Sequence, residues 1–280
     1  MRKVKTGAGI VTFNPDIKRF EYVLEAVCNQ VEKVWIVDNH SADIECIRQI
    51  TNRYPSAVLI VNEQNIGIAA ALNQIFGMTD NENFSWILTL DDDSICDTDL
   101  IRKLLPYTKR KNIGIVCARA IDDAMGSSGG RRRPKAEFIE DCITAGALTS
   151  IAAWKTVGGF DERMFIDFVD IEFCQRLRQG GYRIIRNSEV FVNQKYGNIT
   201  GKVCLPGLTL YILNYAPKRI YYSVRNQVYY IRKHRKNINV LRRGAYLTGF
   251  CGKHILFENN RINTIKAIAE GLVDGFKMQI

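Results

Sequence analysis

What the sequence lacks narrows its function first. No uninterrupted apolar run approaches the ~20 residues that a membrane-spanning helix needs, so no such helix is expected. The opening "MRKVKTGAGIVTFNP" carries basic residues but no long apolar stretch before a small-residue cleavage site, and it reads as a first strand rather than a signal peptide. The eight cysteines (28, 46, 96, 117, 142, 174, 204 and 251) form no C-x-x-C pair. This counts against a zinc site or a disulfide framework and fits reduced thiols in a cytosolic protein. Only three histidines are present, His40, His234 and His254, so proton transfer falls to carboxylates. The turn after the first strand, "VTFNPD", has no G-x-G-x-x-G, which argues against a dinucleotide-dependent oxidoreductase. It also lacks the glycine-rich basic loop expected of a sugar nucleotidylyltransferase, and that reading stays only as an alternative.

Acid is scarce in one region. From Lys195 onward there are 15 Lys and Arg against 3 Asp and Glu, an excess of 12; the first 194 residues carry 24 against 26. The net charge of +10 therefore belongs to the later part of the chain, which suggests an anionic partner there. A nucleic-acid-binding module would explain that charge, but not the run of acids described below, which would repel phosphate in the absence of metal.

What is present is an alternation. Apolar strands at 8–13, 33–39, 57–63, 86–90 and 113–118 are joined by amphipathic segments at 17–30, 43–54, 67–78 and 97–108. Unbroken apolar strands linked by helices predict a mostly parallel α/β sheet covered on both faces, with ligands beyond the carboxyl ends of the strands. Those ends are polar: Thr12-Phe13-Asn14, Asp38-Asn39-His40-Ser41, Asn62-Glu63-Gln64-Asn65 and Asp91-Asp92-Asp93-Ser94. Residues 119–137 read as a long loop; its "GGRRRPK" stretch suits a solvated loop, with contact to an anionic ligand as the alternative. Residues 142–154 return to apolar structure. A loop then leads into a helix started near Asp167 or Asp170 and stopped at Gly180-Gly181.

Asp91, Asp92 and Asp93 end an apolar strand, where repulsion is unfavourable unless something relieves it. In strand geometry Asp91 and Asp93 face the same side. A divalent cation carrying a diphosphate uses one or two such carboxylates with phosphate oxygens and water. The plainer reading is a solvated strand end whose last acid begins to cap the next helix.

The series TFNP, VDNHS, N-x-GIAAALN, LTLDDDS, GGFDE, DFVDIEFCQRLRQGGYRI and RIYYSVRN, spanning about residues 6–232, resembles the GT-A-fold family 2 glycosyltransferases. Within them it is most similar to bacterial rhamnosyltransferases of cell-surface polysaccharide assembly. The resemblance implies inverting transfer from a nucleotide-diphosphate sugar with Mg²⁺ or Mn²⁺. By the same resemblance Asp91 and Asp93 bind the metal. Thr12, Asp38, Asn65, Gly67 and Asp92 fall among the donor-binding positions, Asp38 matching the acid that meets the pyrimidine ring. Asp170 matches the general base. Two departures stand out: Val169 replaces the acid usually before the base, and Gln194 replaces the histidine of an H-x-x-G that here reads Gln194-Lys195-Tyr196-Gly197.

A sugar hydroxyl is a weak nucleophile and calls for a positioned base. Asp161, Glu162, Asp167 and Glu172 lie near Asp170 in sequence, and for most of the five the simple role is first-turn helix charge. Arg219 and Arg225 are candidates to steady the leaving diphosphate, while Tyr221, Tyr222, Tyr229 and Tyr230 suit packing of a helix on the sheet rather than ligand stacking. The expected organisation is a glycosyltransferase domain over 1–235, with a nucleotide-binding half to about 118 and an acceptor half over 119–235, and a basic helical extension over 236–280. The expected donor is dTDP-L-rhamnose, with UDP-hexoses behind it, and the acceptor a glycan or lipid-linked hydroxyl, without nucleic acid. The cluster Arg232, Lys233, Arg235, Lys236, Arg242 and Arg243 suggests peripheral contact with the inner face of the cell membrane.

Overall fold

The computed structural model describes residues 4–121, 134–195, 199–205, 208–257 and 259–280. The chain forms two compact units. One comprises the chain to Arg163 with Val169–Lys195; the other comprises Met164–Phe168 with the chain beyond Lys195.

The first unit is built on one sheet. Strands β1 (Thr6–Thr12), β2 (Val34–Asp38), β3 (Ala57–Val61) and β4 (Trp86–Asp91) lie in the order β3-β2-β1-β4, all parallel. Every residue of β1 and β2 is buried, as their unbroken apolar runs require. Helices α1 (Ile17–Cys28), α2 (Ile44–Thr51) and α4 (Leu100–Thr108) cover the face presented by Ala8, Ile10, Val34 and Ile36. The other face carries α3 (Ile68–Asn81), α5 (Ile151–Thr156) and α6 (Val169–Gln179). Its aromatic seam runs Trp154–Phe76–Phe160–Phe173, with ring centroids 5.4, 5.2 and 4.3 Å apart.

The sheet departs from the simple alternation beyond β4. There β8 (Ala147–Ser150) inserts antiparallel between β4 and β6 (Ile113–Ile121), so β6 does not follow β4 in space. The long β9 (Arg183–Asn193) runs parallel to β6 and also pairs with β5 (Ile95–Cys96) and β7 (Ala136–Ile139). The segment 129–133 of the basic "GGRRRPK" stretch, and Tyr196 and Gly197, lie outside the described residues.

The second unit holds the hairpin β10 (Gly201–Leu205) with β11 (Leu208–Ile212), and helices α7 (Pro217–His234), α8 (Val240–Phe257) and α9 (Arg261–Lys277). No helix among the described residues is long and apolar enough to cross a membrane. Helices α7 and α9 approach closely because α9 presents Gly271 and Gly275 one turn apart. A Cβ at either would stand 2.7 Å from a carbonyl oxygen of α7, Tyr221 O or Arg225 O. Arg232 Nη1 donates to Gly275 O and Met278 O at 2.9 Å and so closes the end of α9. The tyrosines, expected to pack a helix on the sheet, make their contacts within the second unit. Tyr229 and Tyr230 are wholly buried, Tyr222 stacks on Phe165, and Tyr221 Oη donates to Asp274 Oδ2 at 2.9 Å.

The late R-x-Y-Y-x-x-R-N run also holds a bent backbone. Asp167 and Phe168 both have positive φ, 64° and 65°, a conformation that costs non-glycine residues energy. Fully buried Asn226 donates through Nδ2 to Ile166 O at 2.7 Å and Asp167 O at 3.0 Å. The Asp167 carboxylate accepts from Ser223 Oγ and, at 3.3 Å, from Arg219 Nη2. Arg219 is thereby paired, and Arg225 lies over the Tyr222 ring and donates to Asn226 Oδ1.

Gly271→Ala should lower stability by about 1–3 kcal/mol in urea unfolding, because the methyl group must push α7 away. Gly252→Ala in α8, with nothing within 4 Å of the added carbon, should be neutral or stabilising by up to ~1 kcal/mol.

Candidate active site

The ends of the parallel strands are level. Thr12 stands opposite Asp38, and Val11 opposite Asp91, so the polar residues that follow emerge side by side. Asp38 is wholly buried, and its carboxylate accepts from Thr12 Oγ1 at 2.8 Å, Ser41 N at 2.8 Å and Ser41 Oγ at 2.5 Å. Ser41 Oγ accepts in turn from Asn14 N at 2.8 Å. These bonds brace the β1 and β2 loops against each other.

Asn65 and Gly67 form the entry to α3. Asn65 Oδ1 accepts from Gly67 N at 2.9 Å, and Gly67 holds φ 84°, which glycine adopts without a steric penalty. Asn39 Nδ2 donates to Gly67 O at 3.3 Å and ties this turn to the end of β2.

The acidic run sits beside this brace. Phe13 N donates to Asp92 Oδ2 at 3.3 Å. Gln194 Nε2 donates to Asp91 Oδ2 at 2.5 Å. Arg19, from α1, reaches across with Nε on Asp93 O at 2.6 Å and Nη2 on Asn193 Oδ1 at 2.9 Å. Burial pushes the Asp91 carboxyl up to about 7, with further upward pressure from Asp93, Asp92 and Asp170, and the Gln194 amide opposes it. Burial also raises Asp92 to about 6 against the pull of Phe13 N–H, and raises Asp93 against the Arg19 charge.

Asp170 lies in the first turn of α6, close enough for its charge to bear on Asp91. Its Oδ1 accepts from Ile171 N at 2.8 Å. The helix begins at Val169, so Asp170 is inside its first turn rather than at the cap. Three neighbouring acids in the first unit have structural partners. Glu172, fully buried, chelates Arg176 at 2.7–2.9 Å; Asp161 chelates Arg163 at 2.7 and 3.0 Å; Glu162 accepts from Asn73 at 2.8 Å. Asp167 is held by Ser223 and Arg219 within the second unit.

The residues expected from sequence thus collect on one edge: Thr12 and Asp38 as a brace, Asn65 and Gly67 at a helix entry, and Asp91, Asp92 and Asp93 beside Asp170. Sequence reasoning did not single out Arg19 or Ser41 as partners of this edge. Arg19 reads as an ordinary helix cation, and nothing local marks its reach of 74 residues to Asp93.

Among the described residues no group of three or more His, Cys, Asp or Glu side chains is arranged to hold a metal ion alone. The donors nevertheless suit a hard cation shared with a phosphate ligand. Buried, mutually repelling carboxylates need countercharge, and Gln194 Oε1 is a buried oxygen without a hydrogen-bond partner.

Comparison with known proteins bears on the family and the fold. The model of the family described as "Glycosyl transferase family 2" matches residues 8–182. The dTDP-rhamnosyl transferase RfbF of Shigella flexneri is 28% identical over 249 residues, 81% of this chain and 79% of its own. Among solved structures, Staphylococcus aureus TarS 1–349 with UDP-GlcNAc aligns at a TM-score of 0.60 and 14% identity, over 98% of this chain and 81% of its own. The mannosyltransferase PcManGT of Pyrobaculum calidifontis, with GDP-Man and Mn²⁺, aligns at 0.62 and 13% identity, over 97% of this chain and 87% of its own. The architecture is the GT-A fold, with helices following the sheet unit.

A carboxyl raised in the folded state contributes stability below its unfolded value and loses it as pH rises through the folded one. For Asp91 that window runs from its ordinary 3.8 to about 7. Thermal unfolding of the metal-free protein should therefore show a falling Tm across this window. Asp91→Asn should flatten the fall, and a slope equal to wild type would refute the assignment.

Proposed function

This chain belongs to glycosyl transferase family 2 and uses a nucleotide-sugar donor; from that premise we propose that it transfers L-rhamnose, with inversion, from dTDP-L-rhamnose to a hydroxyl of a glycan or lipid-linked acceptor. The observation that carries this reading is the acidic run at the carboxyl end of β4, where the charge of Asp170 bears on Asp91. The dTDP-rhamnosyl transferase RfbF supports the choice of sugar.

Asp91 and Asp93 would hold Mg²⁺ or Mn²⁺, which when bound supplies Lewis-acid stabilisation of the leaving diphosphate. Asp92 and the α3 entry at Asn65 and Gly67 line the donor side, where a helix N-terminus favours an anion. Thr12 and Asp38 would shape the base pocket, with Asp38 the acid that meets the pyrimidine ring. Asp170 takes the proton from the acceptor hydroxyl as it attacks the anomeric carbon. With Val169 before it, that base works without an adjacent acid. The protein would act in the cytoplasm and meet its acceptor at the membrane surface through the basic second unit.

A thermal-shift panel tests the donor: TDP with Mn²⁺ should raise Tm, while NAD and duplex DNA should leave it unchanged. A larger shift with UDP would move the assignment to a UDP-hexose. Asp93→Ala should abolish metal-dependent nucleotide binding in calorimetry while the far-UV spectrum is retained. Unchanged affinity would remove Asp93 from the metal site.

Asp170→Asn should bind donor normally and lose transfer by at least ~10²-fold. Near wild-type turnover would rule Asp170 out as the base.

A further inference from the structure

The basic cluster suggested by sequence for membrane contact is partly spent inside the second unit. Arg232 closes α9, and Lys233 and Arg243 lie over the Tyr229 and Tyr230 rings at 5.5 and 5.4 Å. Among the described residues, α9 carries a continuous exposed apolar surface. Thr264, Ala267, Ile268, Gly271 and Gly275 are its buried side. The opposite side carries Ile262, Ile265, Ala269, Val273 and Phe276, spaced 3, 4, 4 and 3 residues apart. At 3.6 residues per turn these five fall within about 80° of arc. Ile262, Phe276 and Val273 are 72%, 64% and 51% exposed.

We propose that this outer face of α9 is a membrane-docking surface, lying in the plane of an anionic bilayer with its apolar stripe sunk at the headgroup boundary. The charges decide between a bilayer and a second copy of the chain. Arg261, Lys266 and Lys277 are exposed on α9 against the single exposed acid Glu270, because Asp274 accepts from Tyr221. The neighbouring α8 adds exposed Arg242 and no acid. Two such faces packed together would set cations against cations, whereas anionic headgroups attract them and the acyl boundary takes the stripe. The proposal deepens the membrane contact suggested above and is independent of the donor's identity.

The test is co-sedimentation of the full chain with vesicles of phosphatidylcholine alone or mixed with phosphatidylglycerol, at low and high salt. The protein should bind the mixed vesicles and release as salt rises. Ile262→Ser with Phe276→Ser should weaken partitioning by about tenfold or more, since the burial of two large apolar side chains at the bilayer is lost. Lys266→Gln with Lys277→Gln should weaken it and reduce its salt dependence. Phe276→Trp should show blue-shifted emission, quenched by brominated lipid, only with mixed vesicles. A wild-type far-UV spectrum and unfolding midpoint show that each variant is folded, and because this control uses no nucleotide, failure here is separate from failure of the donor assignment. Absence of binding, equal binding to both vesicle types, or binding indifferent to the stripe variants would overturn the proposal. A vesicle-free dimer in sedimentation velocity, lost in Ile262→Ser with Phe276→Ser, would reassign the face to self-association.

Discussion

The site depends on a repulsion that the fold imposes. Asp91 ends a buried strand, with Asp92 and Asp93 following and Asp170 bearing on it from α6, and burial holds its carboxyl up to about 7. No arrangement chosen for stability alone would gather four acids at one sheet edge. The surrounding hydrogen bonds moderate the cost without removing it: Gln194 on Asp91, Phe13 N–H on Asp92, and Arg19 on the backbone at Asp93. A hard divalent cation is the kind of countercharge that would relieve it.

Other acids nearby show how selective this arrangement is. Glu172 sits two residues from Asp170 but is fully buried against Arg176, and Asp161 is folded onto Arg163. Acids of the same type within a short stretch thus include several that serve the fold through a partner close by in the chain or on a neighbouring helix. The tyrosine-rich late motif serves the fold as well. Its rings pack the helices, and Asn226 keeps two residues in a left-handed bend immediately before α6 in the chain.

The second unit follows another constraint. Gly271 and Gly275 let α9 lie against the backbone of α7, and the close contact uses up only one side of the helix. The other side keeps a stripe of large apolar residues in water, which a stable soluble helix has no reason to retain unless a partner covers it.

Much of this was legible in the chain. Unbroken apolar strands separated by amphipathic helices mark a parallel sheet, because burial on both faces removes the polar alternation, and the polar residues at each strand end mark the site edge. The acidic run and Asp170 were likewise visible as residue types in order. Tertiary structure alone decided the rest. Four-residue β8 carries too little periodicity to announce an antiparallel insertion between β4 and β6. Arg19 meets Asp93 across 74 residues of sequence. Arg232, counted as a surface cation by composition, closes a helix 43 residues away. Sequence sets local pattern and charge over a few turns. Which acid stays exposed to substrate, which cation becomes a structural pin and which helix face is left in water depend on contacts between distant segments, and only folding brings those segments together.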